Sequence, residues 1–514
     1  MSSSAFPGLF CLIVALLLVK HLTRLWTTSN GHPLPPGPPA EPFIGHIRIL
    51  PSQYQWKTFA ELGRKYGDIV YMHIFGRPMI VLNSILSATE LMVERGANYS
   101  DRPRLVLLSE IMSWDSFLTF LPYGDRFRKY RRLMQQHFNS TAVNKFKPLQ
   151  IEETHRFLKN MLDSPEQFER HIHLLNASTM MMVTYGHRVT TESDEYVRTA
   201  ERAIELTVEA GSPGTHLVDF VPWLRFLPTW MPGAAFKRYA FKIRRLVRDM
   251  LDIPVNRLKE DMASKTARPS FASALLNAYE QQQTVDYSHE EDIKGVTAGI
   301  FGGMNLTQAV LMSFVLAMVL HPEAAAKAQK EIDAIVGHDR LPDFHDREYL
   351  PFVDCVMKET LRWNTPVPLG IPHRAMNSDI YRGKCIPAGT MVIANIWKMM
   401  RDEQFYLEPE RFQPERFQCA DSRNATLDPK SAIFGFGRRV CPGRFFSDNG
   451  IWLAMVCLLA TFDFLPPIDD DGREVMPKPG FQSGFTSHPM PFKCRISRRS
   501  ERAALLVRQA PTEQ

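Results

Sequence analysis

Phe434-Gly435-Phe436-Gly437-Arg438-Arg439-Val440-Cys441-Pro442-Gly443-Arg444 sets a single cysteine inside a glycine-rich turn. Gly435, Gly437 and Gly443 permit close backbone approach and positive φ. Pro442 suits the first turn of a helix. A cysteine just ahead of that turn sits at a helix N-terminus, where the dipole favours thiolate and lowers the pKa. Pro442 has no N–H to give, so the amides of Gly443 and Arg444 are the natural partners for the sulfur. A thiolate held this way is a soft ligand suited to iron. The plainer alternative is a buried structural cysteine in a tight turn.

The rest of the chain narrows the choice. Its seven cysteines are scattered, odd in number and contain no CxxC pair. A disulfide framework or a structural zinc site is therefore not expected, and a reducing compartment fits better. The 514 residues are 45% apolar and 23% charged, enough for a large core and too ordinary for wholesale disorder. A net charge of +6 is mild for this length and gives no reason to expect nucleic acid. Asn-x-Ser/Thr triplets begin at Asn98, Asn139, Asn176, Asn305 and Asn424, and they matter only if the body of the chain is luminal.

Toward the N-terminus, Ala5 to Val19 is uncharged and mostly apolar, followed by Lys20, Arg24 and Trp26. Snorkelling cations and an interfacial Trp would extend a short span to Trp26. Positive charge after rather than before the apolar run favours an anchor over a cleaved signal and places the body in the cytosol. Residues 1–26 are thus expected to anchor as a single pass. Residues 27–42, with Pro33-Leu34-Pro35-Pro36-Gly37-Pro38-Pro39, are expected to form a stiff hinge. Residues 43–500 are expected to form the main domain, which carries the cysteine turn, and 501–514 a C-terminal tail. Strand-like runs at Ile69 to Ile74 and Met79 to Leu82 precede long helical stretches, notably Asp292 to Leu320, Ala324 to Val336 and Phe352 to Trp363. The expectation is one large, mainly α domain with a minor β-sheet region.

Glu359-Thr360-Leu361-Arg362 is by itself an ordinary helical acid–base pair, and Pro414-Glu415-Arg416-Phe417 is weaker still. In order, and upstream of the cysteine turn, they resemble the ExxR helix and PERF segment of the cytochrome P450 family. The turn itself is similar to that family's haem loop, FxxGxRxCxG, with Phe434, Gly437, Arg439, Cys441 and Gly443 at every fixed position. The resemblance implies the cytochrome P450 fold, haem b with Cys441 as axial ligand, Arg439 on a propionate, and Phe434 packed beside the sulfur. It also implies a buried Glu359–Arg362–Arg416 network beneath the haem. The stretch Arg126 to Arg132 is strongly basic. It is similar to the family's Trp-x-x-x-Arg, with Arg131 matching and Phe127 in place of the Trp. His373 resembles a further propionate contact.

One segment departs from the family. Gly302-Gly303-Met304-Asn305-Leu306-Thr307 stands where the family has Ala/Gly-Gly-x-Asp/Glu-Thr-Thr. Asn305 replaces the acid, Leu306 replaces the alcohol credited with proton delivery, and Thr307 matches the second Thr. Asn305 and Thr307 are the candidate catalytic residues, with Thr307 equally able to back-bond to the Gly303 carbonyl. Phe117, Phe120, Met304, Leu306, Val367, Leu369 and Phe485 occupy matching substrate-facing positions, although any one of them is as readily plain core. The overall pattern is similar to fungal microsomal members active in secondary metabolism. It implies oxidation of a lipophilic small molecule, a terpenoid as first expectation, with electrons from NADPH through an NADPH–cytochrome P450 reductase. The Asn305–Leu306 pair leaves open an isomerase, dehydratase or peroxygenase of the same fold, and a non-enzymatic haem sensor is a third possibility.

Overall fold

The computed structural model describes residues 31–191, 193–210, 216–280, 287–418 and 426–512. The anchor expected at 1–26 lies outside the described residues. The longer helices are α1 (Gln55–Tyr66), α2 (Asp125–Phe138), α3 (Lys147–Asp163), α4 (Phe168–Tyr185), α5 (Glu195–Glu209), α6 (Ala235–Ala263), α7 (Phe271–Glu280), α8 (Tyr287–Phe301), α9 (Met304–Leu320), α10 (Pro322–Ile335), α11 (Pro351–Trp363), α12 (Arg444–Thr461) and α13 (Glu501–Gln509). The strands are β1 (Ile69–Ile74), β2 (Arg77–Leu82), β3 (His373–Arg374), β4 (Asp379–Tyr381), β5 (Lys384–Ile386), β6 (Met391–Ala394), β7 (Phe462–Leu465) and β8 (Arg495–Arg498). The chain is mainly helical with small sheets, as its sequence pattern implies.

The apolar runs of α9 and α12 explain their places. Almost every residue of α9 from Ala309 to Val319 is buried, and so is α12 from Ile451 to Leu459. A helix apolar all round can only sit at the centre. The two pack with α3, α4 and α11 into one core; α8 and α9 together are long and apolar enough to span a membrane by composition, but they are mostly buried here instead. The main sheet has the order β1-β2-β6-β3 and pairs β2 with β6 in parallel, with Ile80 opposite Val392.

Both ends of the described chain are tied to the body. In the Pro-rich stretch expected as a stiff hinge, Tyr71 donates its N–H to the Pro36 carbonyl at 2.8 Å and Cys385 donates to that of Pro33 at 2.8 Å. A Cβ on Gly37 would lie 1.9 Å from the Tyr71 oxygen, so only glycine lets the stretch approach β1 this closely. Prolines lack donors but keep carbonyls, and the sheet edge uses them. At the other end, the expected tail carries α13. Ser500 caps it, Ala503, Ala504 and Val507 bury one face, and Lys159 of α3 donates to the Ala510 carbonyl at 2.8 Å.

Candidate active site

The cysteine turn is closed by Cys441 N–H donating to the Phe434 carbonyl at 2.7 Å. Gly437 has φ of 55°, and a Cβ there would meet the Met92 carbonyl at 2.0 Å, so the position admits glycine alone. Helix α12 starts at Arg444 with Gly443 as its cap, so Pro442 lies just before the helix rather than in its first turn. The amides of Gly443 and Arg444 both serve the Cys441 sulfur, as the sequence implied. Burial nevertheless pushes the thiol up, outweighing those N–H groups and the nearby Arg131 and Arg444. This corrects the expected lowering. Desolvating a lone thiolate costs more than two amides and a dipole return, and a coordinated cation reverses that balance.

Beside the sulfur lies a cluster of enclosed cations. Arg439 donates through Nε to the Ser100 carbonyl and through Nη2 to the Leu121 carbonyl, each at 2.7 Å, while its buried Nη1 has no partner. Arg102, 5% exposed, donates to the carbonyls of Thr119, Ile371 and Pro372. Neither guanidinium is paired with a carboxylate among the described residues; Asp101 is bound to Arg374 instead. Burial pulls both arginines down, Arg439 to about 10. His373 donates from Nδ1 to the Tyr99 carbonyl at 2.7 Å and is held well below its usual range, first by burial and then by Arg102. Arg131 donates to the Val440 carbonyl at 2.6 Å and faces Cys441. Asp101 acts on both at a distance but is spent on Arg374, so these buried like charges form a site suited to anions. Arg102 was invisible in the sequence, since Thr119 and Ile371 are brought to it only by the fold.

Phe127 has a different task from the Trp it replaces. It is 3% exposed, and the Arg439 guanidinium lies 3.7 Å from its ring centroid. The ring supports a cation rather than offering an N–H.

On the helical side, the hydrogen-bond ladder breaks at Gly302 and Gly303, which separate α8 from α9. The Gly303 N–H reaches back to Ile300 and the Leu306 N–H to Gly303. Asn305 makes no side-chain hydrogen bond among the described residues. The Thr307 hydroxyl pairs with Ser447 Oγ of α12 at 3.3 Å, beside a cavity of about 30 Å³ lined by Gln150, Asn176 and Thr179. The expected back-bond to Gly303 is replaced by this contact between helices. Of the apolar candidates, Met304 is fully buried in the core and Phe117 is 5% exposed. Phe120, Leu306, Val367, Leu369 and Phe485 keep partial exposure despite their apolar chemistry.

Beneath the loop, Arg362 donates Nε and Nη2 to the two oxygens of Glu359 at 2.7 Å each, with both residues fully buried. Its remaining donors reach the carbonyls of Met400, Pro409 and Arg411. Arg416 adds Nε to Glu359 at 3.2 Å, and the Gln413 N–H adds a further bond at 2.7 Å. One carboxylate thus gathers the irregular chain from 400 to 416.

These residues fit a haem. A soft sulfur is offered by the Cys441 turn, and the unpaired Arg439 Nη1 with Arg102 suits the carboxylates of its propionates. Comparison with known proteins agrees. A family model described as Cytochrome P450 matches residues 35–496. The chain is similar to cytochrome P450 monooxygenase 176 of Postia placenta, 40% identical over 499 residues that cover 96% of each chain. It is also similar to cytochrome P450 monooxygenase claT of Ampulloclitocybe clavipes, 41% identical over 501 residues that cover 97% of each.

Proposed function

The chain belongs to the cytochrome P450 family and is a cytochrome P450 monooxygenase, and from that premise we propose that it oxidises a terpenoid-type secondary metabolite with NADPH-derived electrons. The family's cofactor is a haem with thiolate-ligated iron, which when bound supplies the activation of dioxygen. Cys441 would hold its iron, and Arg102, Arg439 and Arg131 would neutralise its propionates. His373 already spends Nδ1–H on Tyr99, so it reaches an anion only as a cation, a state the two arginines oppose until that anion is present. The observation that carries the reading is the pair of enclosed guanidiniums that share one nearby acid, Asp101, and are ion-paired to no carboxylate among the described residues, one of them two residues from Cys441.

Leu306 and Phe485, both partly exposed, would give a substrate cleft apolar walls, and no candidate wall residue carries a charge, which favours a lipophilic substrate. The basic face of α2, where Arg128, Arg132 and Arg438 border a concavity, favours docking of an acidic NADPH–cytochrome P450 reductase. The aromatic side chains of Trp223, Phe226 and Trp230 are 66%, 70% and 78% exposed, and with the expected anchor at 1–26 they favour seating on the endoplasmic reticulum membrane. The test is reductase-coupled turnover of a terpenoid panel, with mass spectrometry for added oxygen. Cys441→Ser must abolish the red-shifted Soret band that carbon monoxide gives with the reduced protein. Retention of that band would place the ligand elsewhere; oxygenation confined to other lipid classes would remove the terpenoid reading.

A further inference from the structure

Three partly exposed apolar walls come from distant parts of the chain: Leu306 on α9, Val367 and Leu369 after α11, and Phe485 on the hairpin closed by Phe481 and Pro489. Their bases meet at one side chain. Asn364, 4% exposed, follows the last residue of α11. Its amide Nδ2 donates to Ser313 Oγ of α9 at 2.9 Å and to the Ser487 carbonyl at 3.1 Å. Its Oδ1 accepts from Ser487 Oγ at 3.0 Å. We propose that Asn364 is a positioning residue for substrate specificity, setting the Phe485 hairpin and the Val367–Leu369 strap against the Leu306 face of α9.

Donor logic makes the position selective for asparagine. The Ser313 hydroxyl gives its proton to the Ala309 carbonyl at 2.6 Å, so toward Asn364 it can only accept. The Ser487 carbonyl can only accept as well. Two acceptors therefore converge on Asn364, and both amide hydrogens are needed. A third acceptor placed there would leave buried lone pairs facing each other. Ser313 lies seven residues beyond Leu306, two turns along the same helical face. Ser487 lies two residues beyond Phe485, and its N–H also donates to Pro366 at 2.9 Å. Val367 and Leu369 follow Asn364 by three and five positions. Each contact of the amide thus fixes the base of a wall, not the wall itself.

The hairpin is otherwise held at its edges. Tyr54 donates its backbone N–H to Ser483 Oγ at 2.7 Å and its hydroxyl proton to the Phe481 carbonyl, while Phe481 packs edge-on to Trp363. A Cβ added at Gly484, at the tip, would lie 3.9 Å from Val208 of α5. Among the described residues, only the Asn364 cluster joins the hairpin to α9 through buried polar bonds. Releasing it would let the tip shift without unfolding the core.

The inference rests on the reading of these walls as substrate-facing, and the experiment separates the two. Full-length holoprotein is titrated with imidazole and with clotrimazole, following the Soret shift. Imidazole needs only the space above the iron, whereas clotrimazole must fill the walls. Asn364→Asp should weaken clotrimazole about tenfold or more while imidazole stays within about twofold, the scale of one or two buried hydrogen bonds. Ser487→Ala and Ser313→Ala, which each remove one partner, should weaken clotrimazole severalfold. Hydrogen exchange across 480–490 should quicken in the same order. If Asn364→Asp fails to fold, the two serine variants decide. Equal losses for both azoles, or a lower melting temperature with unchanged azole ratio, would mean a merely structural Asn364 and overturn the inference. If wild type binds imidazole but not clotrimazole, the substrate-facing reading falls and the inference with it.

Discussion

Phe127 shows how a single replaced side chain changes a site's working parts. Where the family has a Trp N–H, this chain has a ring beneath Arg439. Replacing it, Phe127→Leu, removes a partly desolvated cation–π contact of about 1–2 kcal/mol. Haem transfer to an excess of apo-globin should then run several-fold faster, and unchanged transfer would show that the carbonyl bonds of Arg439 suffice alone. Asn305, Leu306 and Thr307 make the second residue-scale case. Leu306 has no proton to give, and the Thr307 hydroxyl is engaged with Ser447. A positioned donor contributes roughly 10²–10⁴-fold to a proton-transfer step. Asn305→Asp combined with Leu306→Thr should therefore raise product formed per NADPH on poorly fitting substrates and reduce peroxide release. Tight coupling of wild type on every substrate, with no gain in the double variant, would retire the idea that proton supply limits this enzyme.

Among elements, α11 carries the most concentrated energetics. Glu359 and Arg362 are both wholly enclosed, and each satisfies the other together with carbonyls of the 400–416 chain. Arg362→Leu leaves the carboxylate with only Arg416 and the Gln413 amide, so a loss of about 3–5 kcal/mol and failure to retain haem are expected. Thermal unfolding and the haem-to-protein absorbance ratio report both. A second element is the short helix Leu217–Phe220, tied by Asp219 Oδ1 to the Leu107 N–H at 3.0 Å at the start of the π-helical turn Val106–Ile111. Burial raises Asp219 from 3.8 to about 6; His216 is its neighbour on the same segment, and Arg77 is the cation facing it. The folded form thus holds a proton more tightly than the unfolded chain. Stability from this group is present below about pH 4, declines as pH rises toward 6, and is flat above. Asp219→Asn keeps an acceptor for Leu107 and removes the charge. Its melting temperature relative to wild type should climb from about pH 4 to about pH 6 and then level off; a pH-independent difference would contradict the assignment.

At the scale of the molecule, the proposed membrane seating predicts separate contributions from the expected anchor and the exposed aromatic surface. Removing residues 1–26 should leave the carbon monoxide spectrum intact and weaken, not abolish, vesicle binding. Adding Trp223→Ser, Phe226→Ser and Trp230→Ser should release the remainder, measured by co-sedimentation with neutral phosphatidylcholine vesicles. Full release on deletion of the anchor alone would reduce the aromatic surface to a bystander. Helix α13 closes the opposite end by packing on α3 and α12, which is why a stretch read as tail behaves as part of the body.

The family, the cysteine turn and the Glu359–Arg362 pair were legible in the linear chain because their chemistry is local. Gly437 is required by a near contact, and Glu359 and Arg362 sit one turn apart on a helix. The fold class followed from apolar α9 and α12, which no surface position could accommodate. Tertiary structure alone decided the rest. Arg102 becomes an anion ligand only where Thr119 and Ile371 converge on it, and Asn364 gains its role from Ser313 and Ser487, 51 and 123 residues away. It also decided that Met304 is core while Leu306 is not, and that the Cys441 thiol is raised rather than lowered. Burial and long-range pairing depend on what the folded chain brings alongside a residue, and sequence spacing carries no record of that.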